Sequence, residues 1–165
     1  MNTKLVKVEK EYPDLQIMKE AGEILKNGGL VAFPTETVYG LGGDGLNARS
    51  SEKIYTAKGR PSDNPLIIHI ADMESLNKIV RQIPEKAKLL AEKFWPGPLT
   101  MIFQKSSEVP YETTGGLESV AVRMPNHPVA LALIQAGGGY IAAPSANTSG
   151  RPSPTKAEHV AEDLS

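Results

Sequence analysis

The sequence predicts an α/β domain: a twisted, mostly open mixed sheet with flanking helices and a concave ligand crevice. Three observations carry this. Short apolar runs such as Leu30–Phe33 and Leu66–Ile70 alternate with segments of helical apolar spacing. The run Leu66-Ile67-Ile68-His69-Ile70 is apolar throughout except for His69, as in a strand buried on both faces. The 165 residues suffice for one core, and they contain no internal repeat, low-complexity tract or linker.

The elements follow in order. Leu5, Val6 and Val8 suggest a short edge strand. Asp14 precedes a helical pattern of Leu15, Ile17, Met18, Ala21, Ile24 and Leu25, which Gly28-Gly29 end. Strand Leu30–Phe33 stops at Pro34. A loop over Thr35–Arg49 leads to Ser50-Ser51, read as caps of a helix running to about Ala57. Lys58-Gly59-Arg60-Pro61 breaks that helix, and strand Leu66–Ile70 follows. Asp72 caps a helix using Leu76, Ile79 and Val80. Pro84 is expected at the first position of another, carrying Ala87, Leu89, Leu90 and Phe94. Trp95-Pro96-Gly97-Pro98 is a rigid turn before strand Leu99–Phe103. Ser106–Glu118 reads as a polar loop and Ser119–Arg123 as a strand with a charged end. A helix over Val129–Gln135 ends at Gly137-Gly138-Gly139. Strand Tyr140–Ala143, the loop Pro144–Gly150 and a capping-box sequence at Thr155–Glu158 complete the chain.

Composition narrows the function. Lys and Arg total 18 against 19 Asp and Glu, a net charge of -1, so any basic surface must be local. Without cysteine there are no disulfides, thiolate nucleophiles or cysteine zinc sites. His127 and His159 have no ligand-like spacing, which points away from zinc. The N-terminus lacks the apolar core of a signal peptide, and no apolar run approaches the roughly 18–20 residues that span a bilayer. A cytoplasmic domain without membrane contact is the default expectation.

Two glycine signatures fail. Gly40, Gly42 and Gly45 match G-x-G-x-x-G, but Pro34–Tyr39 separate them from the preceding strand and Asn47–Ser51 from the following helix. No glycine is followed by Lys and then Ser or Thr, so a Walker A loop is absent. Other residues carry chemistry. Lys58 and Arg60 flank a glycine at a helix end, where a point charge and a planar fork could share one phosphate. Cations also favour helix C-termini for dipole reasons alone. Ser145 and Asn147 follow a strand and could bind a ligand or serve the turn. His69 in its apolar strand is either a structural histidine or faces a ligand. Arg123 at a strand end must find a carboxylate, a phosphate or water. Thr35, Glu36 and Thr37 follow a strand directly, so their side chains should face the crevice.

The motifs PTETVYGLG, KGRP…NPL, WPGPLT, VRMPNHP and APSANTSGRPSPT, in this order, resemble the YrdC-like family, the threonylcarbamoyl-AMP synthases. The resemblance implies synthesis of L-threonylcarbamoyl-adenylate from ATP, L-threonine and bicarbonate, with Mg²⁺ carried by ATP. It also implies downstream proteins that transfer the threonylcarbamoyl group to tRNA. By the family pattern, Thr35, His69, Arg123 and the Ala143 backbone are the threonine-side contacts. Lys58, Arg60, Asn64, Ser119, Ser145, Asn147 and Ser153 are the ATP-side contacts, with Lys58 and Arg60 the catalytic pair. Family domains continue past the last helix, so residues 1–165 are expected to be one such domain, cut short at its C-terminal end. The alternative is a catalytically incomplete RNA- or nucleotide-binding module of the same fold. The net charge and the scarcity of aromatics near the basic loops, Tyr39 and Tyr55 excepted, allow only weak RNA binding.

Overall fold

The computed structural model describes residues 3–147 and 153–164. Helix α1 (Leu15–Lys26) starts where the sequence places it, because the Asp14 carboxylate accepts from the backbone N–H groups of Gln16 and Ile17. It buries Met18, Gly22 and Leu25 and leaves Leu15 and Ile24 exposed. Strands β1 (Val31–Phe33) and β2 (Gly40–Asp44) follow, then α2 (Ala48–Lys58), β3 (Ile67–His69) and the single turn α3 (Leu76–Ile79). Next come α4 (Glu85–Phe94), β4 (Thr100–Gln104), the short α5 (Tyr111–Thr114) and β5 (Ser119–Arg123). Helix α6 (Pro128–Ala136), β6 (Ile141–Ala142) and α7 (Ala157–Leu164) complete the order.

The strands form one open six-stranded sheet in the order β1-β2-β6-β3-β5-β4. Only β3 and β5 run parallel; every other neighbouring pair is antiparallel. The expected mixed α/β sheet is therefore present. Leu66, Ile68 and Ile70 are fully buried, as the unbroken apolar run predicts. Helices α1 and α6 close one core cluster with Phe33 and Ile141. Leu76, Ile79 and Trp95 close a second against Ile68, Met101, Val120 and Val122. A third joins Ile54, Tyr55, Leu66 and Ala142.

Several expectations are corrected. Residues 3–9 form no strand: Leu5 and Val6 are exposed, and Val8 alone of the three packs, partly buried, against the α1–α6 core. The segment Thr35–Arg49 is not all loop, since β2 lies inside it between β1 and β6. Its glycines hide it from a propensity reading, yet the sheet needs them. A Cβ on Gly42 would stand 2.7 Å from Ile141 Cγ2 and 2.9 Å from Phe33 Cε1. The cap of α2 is Asn47, whose side chain accepts from Arg49 and Ser50 N–H. Ser50 and Ser51 are instead buried within the helix, where Ser51 Oγ meets Thr113 Oγ1 of α5 at 2.7 Å.

The cap residue of α3 is Ser75, not Asp72, which instead accepts from Ser75 N–H and Oγ–H; the helix is one turn long, and Val80 is extended where it bridges Lys105. Pro84 is the cap residue of α4, not its first helical residue. Ala91 is the buried position of α4, while Leu89, Leu90 and Phe94 are exposed. The polar segment Ser106–Glu118 holds α5, set between Pro110 and Gly115. Of the Pro144–Gly150 loop, residues 148–150 lie outside the described residues, as do Arg151 and Pro152. No helix of the described residues is long and apolar enough to cross a membrane.

Candidate functional site

Strand register sorts the predicted residues along the sheet. Ile67, Ile68 and His69 of β3 pair in parallel with Ala121, Val122 and Arg123 of β5. His69 and Arg123 thus share one end of the central strands. At the other end, Ser119 opens β5 and Asn64-Pro65 lead into β3. The five residues of β5 separate the two ends by roughly 13 Å at the usual strand rise. Antiparallel β6 sets Ile141 beside His69, and Ala143 N–H then donates to Ile67 O at 2.9 Å. Ser145, two residues on, bridges Gly40.

Lys58, Ser145 and Asn147 form the first cluster. Gly59 takes a left-handed φ of 63°, which lets α2 stop there. The Lys58 ammonium, 2% exposed, donates to Ser145 O at 2.6 Å and to Asn147 Oδ1 at 3.5 Å. Ser145 Oγ donates to the same Asn147 Oδ1. Burial, reinforced by the Arg60 charge, lowers the Lys58 pKa to about 8. Two of its three N–H groups are thus spoken for by neutral oxygens, a pairing that leaves its charge uncompensated. Arg60 donates through Nε to Asn64 O at 3.3 Å and through Nη2 to Pro65 O at 2.9 Å. Asn64 meets Arg60 through this carbonyl. Burial lowers the Arg60 pKa as well.

The second cluster surrounds Arg123. Its guanidinium, nearly buried, donates through Nε to Gly97 O at 3.1 Å and through Nη1 to Thr37 Oγ1 at 3.3 Å. Nη2 donates to Glu36 Oε1 in an ion pair. The Trp95–Leu99 turn presents Gly97 O because Trp95 Nε1–H closes it onto Leu99 O at 2.7 Å. Thr35 Oγ1 donates to Val38 O at 2.7 Å and accepts from Thr37 N–H at 3.2 Å, which shapes the turn that delivers Glu36 and Thr37. His69 packs edge-on against Phe33, ring centroids 5.9 Å apart, with Nδ1 3.1 Å from Ile67 O. Burial first, then the Arg123 charge, lowers its pKa to about 4, so the imidazole is neutral at pH 7. His127 caps α6, its Nδ1 accepting from Val129 N–H, and lies within electrostatic reach of Glu36.

The turn after β1 spans the two clusters. Phe33 is in register with Gly40, which bridges Ser145, whereas Glu36 and Thr37 reach Arg123. Tyr39 N–H donates to Pro154 O and Tyr39 O accepts from Ala146 N–H, tying this turn to the segment after β6. Ser119 and the exposed Ser153 hydrogen-bond to neither cluster. Sequence reasoning turned Glu36 towards the crevice but gave it no role; the signal for its partner was the demand of a buried Arg123 for an anion. A depression of about 420 Å³ runs along the α1–α6 seam, and another of about 390 Å³ is lined by Tyr55, Asp63 and Glu112. Among the described residues, no three His, Cys, Asp or Glu side chains gather as metal ligands.

The chain has counterparts among known proteins. The model of the Sua5/YciO/YrdC family, described as telomere recombination, matches residues 23–165. A threonylcarbamoyl-AMP synthase of Pyrococcus abyssi is 55% identical over 162 residues, covering 98% of this chain and 47% of that protein. One of Bacillus subtilis is 59% identical over 146 residues, covering 88% of this chain and 42% of that protein. The crystal structure of Pyrococcus abyssi Sua5 complexed with L-threonine superposes with a TM-score of 0.90 at 55% identity, covering 92% of this chain and 45% of that one. The chain thus spans about half the length of the curated relatives it matches.

Proposed function

This chain belongs to the Sua5/YciO/YrdC family, and on that premise we propose that it makes L-threonylcarbamoyl-adenylate from ATP, L-threonine and bicarbonate. The product would serve proteins that transfer the threonylcarbamoyl group to tRNA. The observation that carries the reading is the separation of two cationic clusters along one sheet. Arg123 with neutral His69 lies at one end of β3 and β5, and Lys58 and Arg60 flank the other. A bisubstrate adenylation needs such a pair of anion sites within one crevice.

The chemistry divides between the clusters. The threonine amine attacks the bicarbonate carbon and water leaves, giving a carbamate. A carbamate oxygen then attacks the α-phosphorus of ATP, and pyrophosphate departs with the electron pair of the broken P–O bond. No protein nucleophile is needed, so a chain without cysteine is at no disadvantage. Lys58 and Arg60 would meet the charge that builds on the transferring phosphate, where fixed cations in a partly dry site act most strongly. Phosphate arrival would restore the Lys58 proton affinity that burial reduces. Arg123 would hold the threonine carboxylate. His69, neutral beside it, would offer a hydrogen bond without adding charge. The Ala143 carbonyl would complete the threonine side, and Ser119 and Ser153 would approach the nucleotide. The described residues supply no carboxylate set for a resident Mg²⁺, which would be carried on the triphosphate.

The test is pyrophosphate release by this 165-residue chain, measured with each substrate omitted in turn. Release should require ATP, threonine and bicarbonate together. Lys58→Ala or Arg60→Ala should lower it by about tenfold or more, the scale for losing one preorganised cation, with thermal unfolding preserved. Unchanged release in both variants refutes the assignment. RNA binding without threonine-dependent release would favour a binding module instead.

A further inference from the structure

The Glu36 carboxylate has a role that neither substrate contact nor turn chemistry assigns to it. It lies on the turn between β1 and β2, yet both of its oxygens are committed to the far side of the crevice. Oε1 accepts from Arg123 Nη2, and Oε2 accepts from Asn126 N–H at 2.8 Å. The Arg123 side chain is 10% exposed and that of Glu36 23%, so the guanidinium is shielded while the carboxylate stays partly open to water. The other described ion pair, Lys88–Glu85, is by contrast a surface contact of 3.8 Å.

All three guanidinium nitrogens of Arg123 are anchored, each to a different partner: Nε to Gly97 O, Nη1 to Thr37 Oγ1, Nη2 to Glu36. The carbonyl and the hydroxyl can orient the fork, but neither compensates its charge. A shielded guanidinium without a counter-ion would turn towards water or draw in an adventitious anion. The fork retains one further N–H on each of Nη1 and Nη2, enough to hold a second carboxylate side by side with Glu36.

We propose that Glu36 is a positioning residue, which fixes the Arg123 guanidinium so that its remaining N–H groups face an incoming substrate carboxylate. This rests on the threonylcarbamoyl-adenylate reading for the identity of that carboxylate. The positioning itself rests on the geometry alone. Glu36 touches Arg123 and Asn126 and need not touch substrate. Its loss should therefore weaken threonine and leave the nucleotide end, built by Lys58, Ser145 and Asn147, untouched.

Two measurements on the full 165-residue chain test this. The first is the ¹⁵N resonance pattern of the Arg123 Nη groups, which reports hindered rotation. It should be resolved in the wild type, averaged in Glu36→Gln and partly retained in Glu36→Asp. The second is kinetic. Glu36→Gln should raise the threonine KM by about tenfold, the order of one charge-assisted hydrogen bond, with the ATP KM unchanged. Glu36→Asp should recover part of the loss. An Nη pattern identical in wild type and both variants overturns the proposal, as does a parallel rise of both KM values. Should Glu36→Gln not fold, Glu36→Asp supplies the same two readouts. A wild type without threonine-dependent turnover refutes the activity, while the Nη pattern still decides whether Glu36 holds Arg123.

Discussion

His69 is neutral because the fold has no room for its charge. Its ring is 5% exposed, Phe33 packs against it, and Arg123 lies beside it in register. The sign of the pH effect follows from its depressed pKa, about 4 against 6.5 for the free side chain. As pH falls through 6.5 the unfolded chain takes up the proton and the folded one does not, so stability drops; the drop ends below about 4, where both forms are protonated. Between pH 7.5 and 5 this group alone should cost about 2 kcal/mol. Urea unfolding of wild type and His69→Gln at the two pH values measures it. A wild-type loss no larger than the variant's would contradict it. At this scale the sequence was a good guide to need and a poor guide to partner. A buried arginine at a strand end required an anion, and Glu36 was in view on its turn. Nothing local, however, joins residues 87 positions apart. Lys58 is similar: its own segment shows a helix end, while its two acceptors come from Ser145 and Asn147.

The cap and apolar stripe of α1 were legible, and so were strands rich in branched residues. Helix α1 begins at the predicted aspartate, and β3 and β5 lie where their apolar runs are. Strand β2 was not, because its GLGGD sequence is a loop by propensity and a strand only by virtue of crowded neighbours. The α1–α6 contact is another case of tertiary packing overriding local preference. A Cβ on Gly22 would stand 2.4 Å from Ala136 O and 2.6 Å from Ala136 C, backbone atoms that cannot step aside. Helix propensity alone would reward Gly22→Ala by about 1 kcal/mol. Overpacking should reverse that sign and leave a net loss of about 1–2 kcal/mol. Denaturant unfolding with unchanged slope would show it, and a variant more stable than wild type would refute the contact as the deciding one. Exposed Leu89, Leu90 and Phe94 make the opposite point: α4 has apolar residues that its own domain does not cover.

For the molecule as a whole, the two-residue strand β6 has a weight out of proportion to its length. It stands between β2 and β3 and pairs with both, so it joins the β1–β2 ribbon to the β3–β5–β4 group. A chain ending at Gly139 would keep every other strand but leave two inner edges with open N–H and C=O groups. Such a chain should lose cooperative unfolding and dispersed amide resonances; retention of both would show that the sheet does not depend on β6. The same strand delivers Ala143, Ser145 and Asn147 immediately beyond its end. The order of synthesis then acquires a meaning. The β1–β2 ribbon and the later strands can each begin to organise on the ribosome, but they join only once a segment some 140 residues into the chain has emerged. The residue that closes the sheet and those that meet Lys58 arrive together. In a nascent chain the partners of Lys58 therefore follow the strand that closes the sheet almost at once.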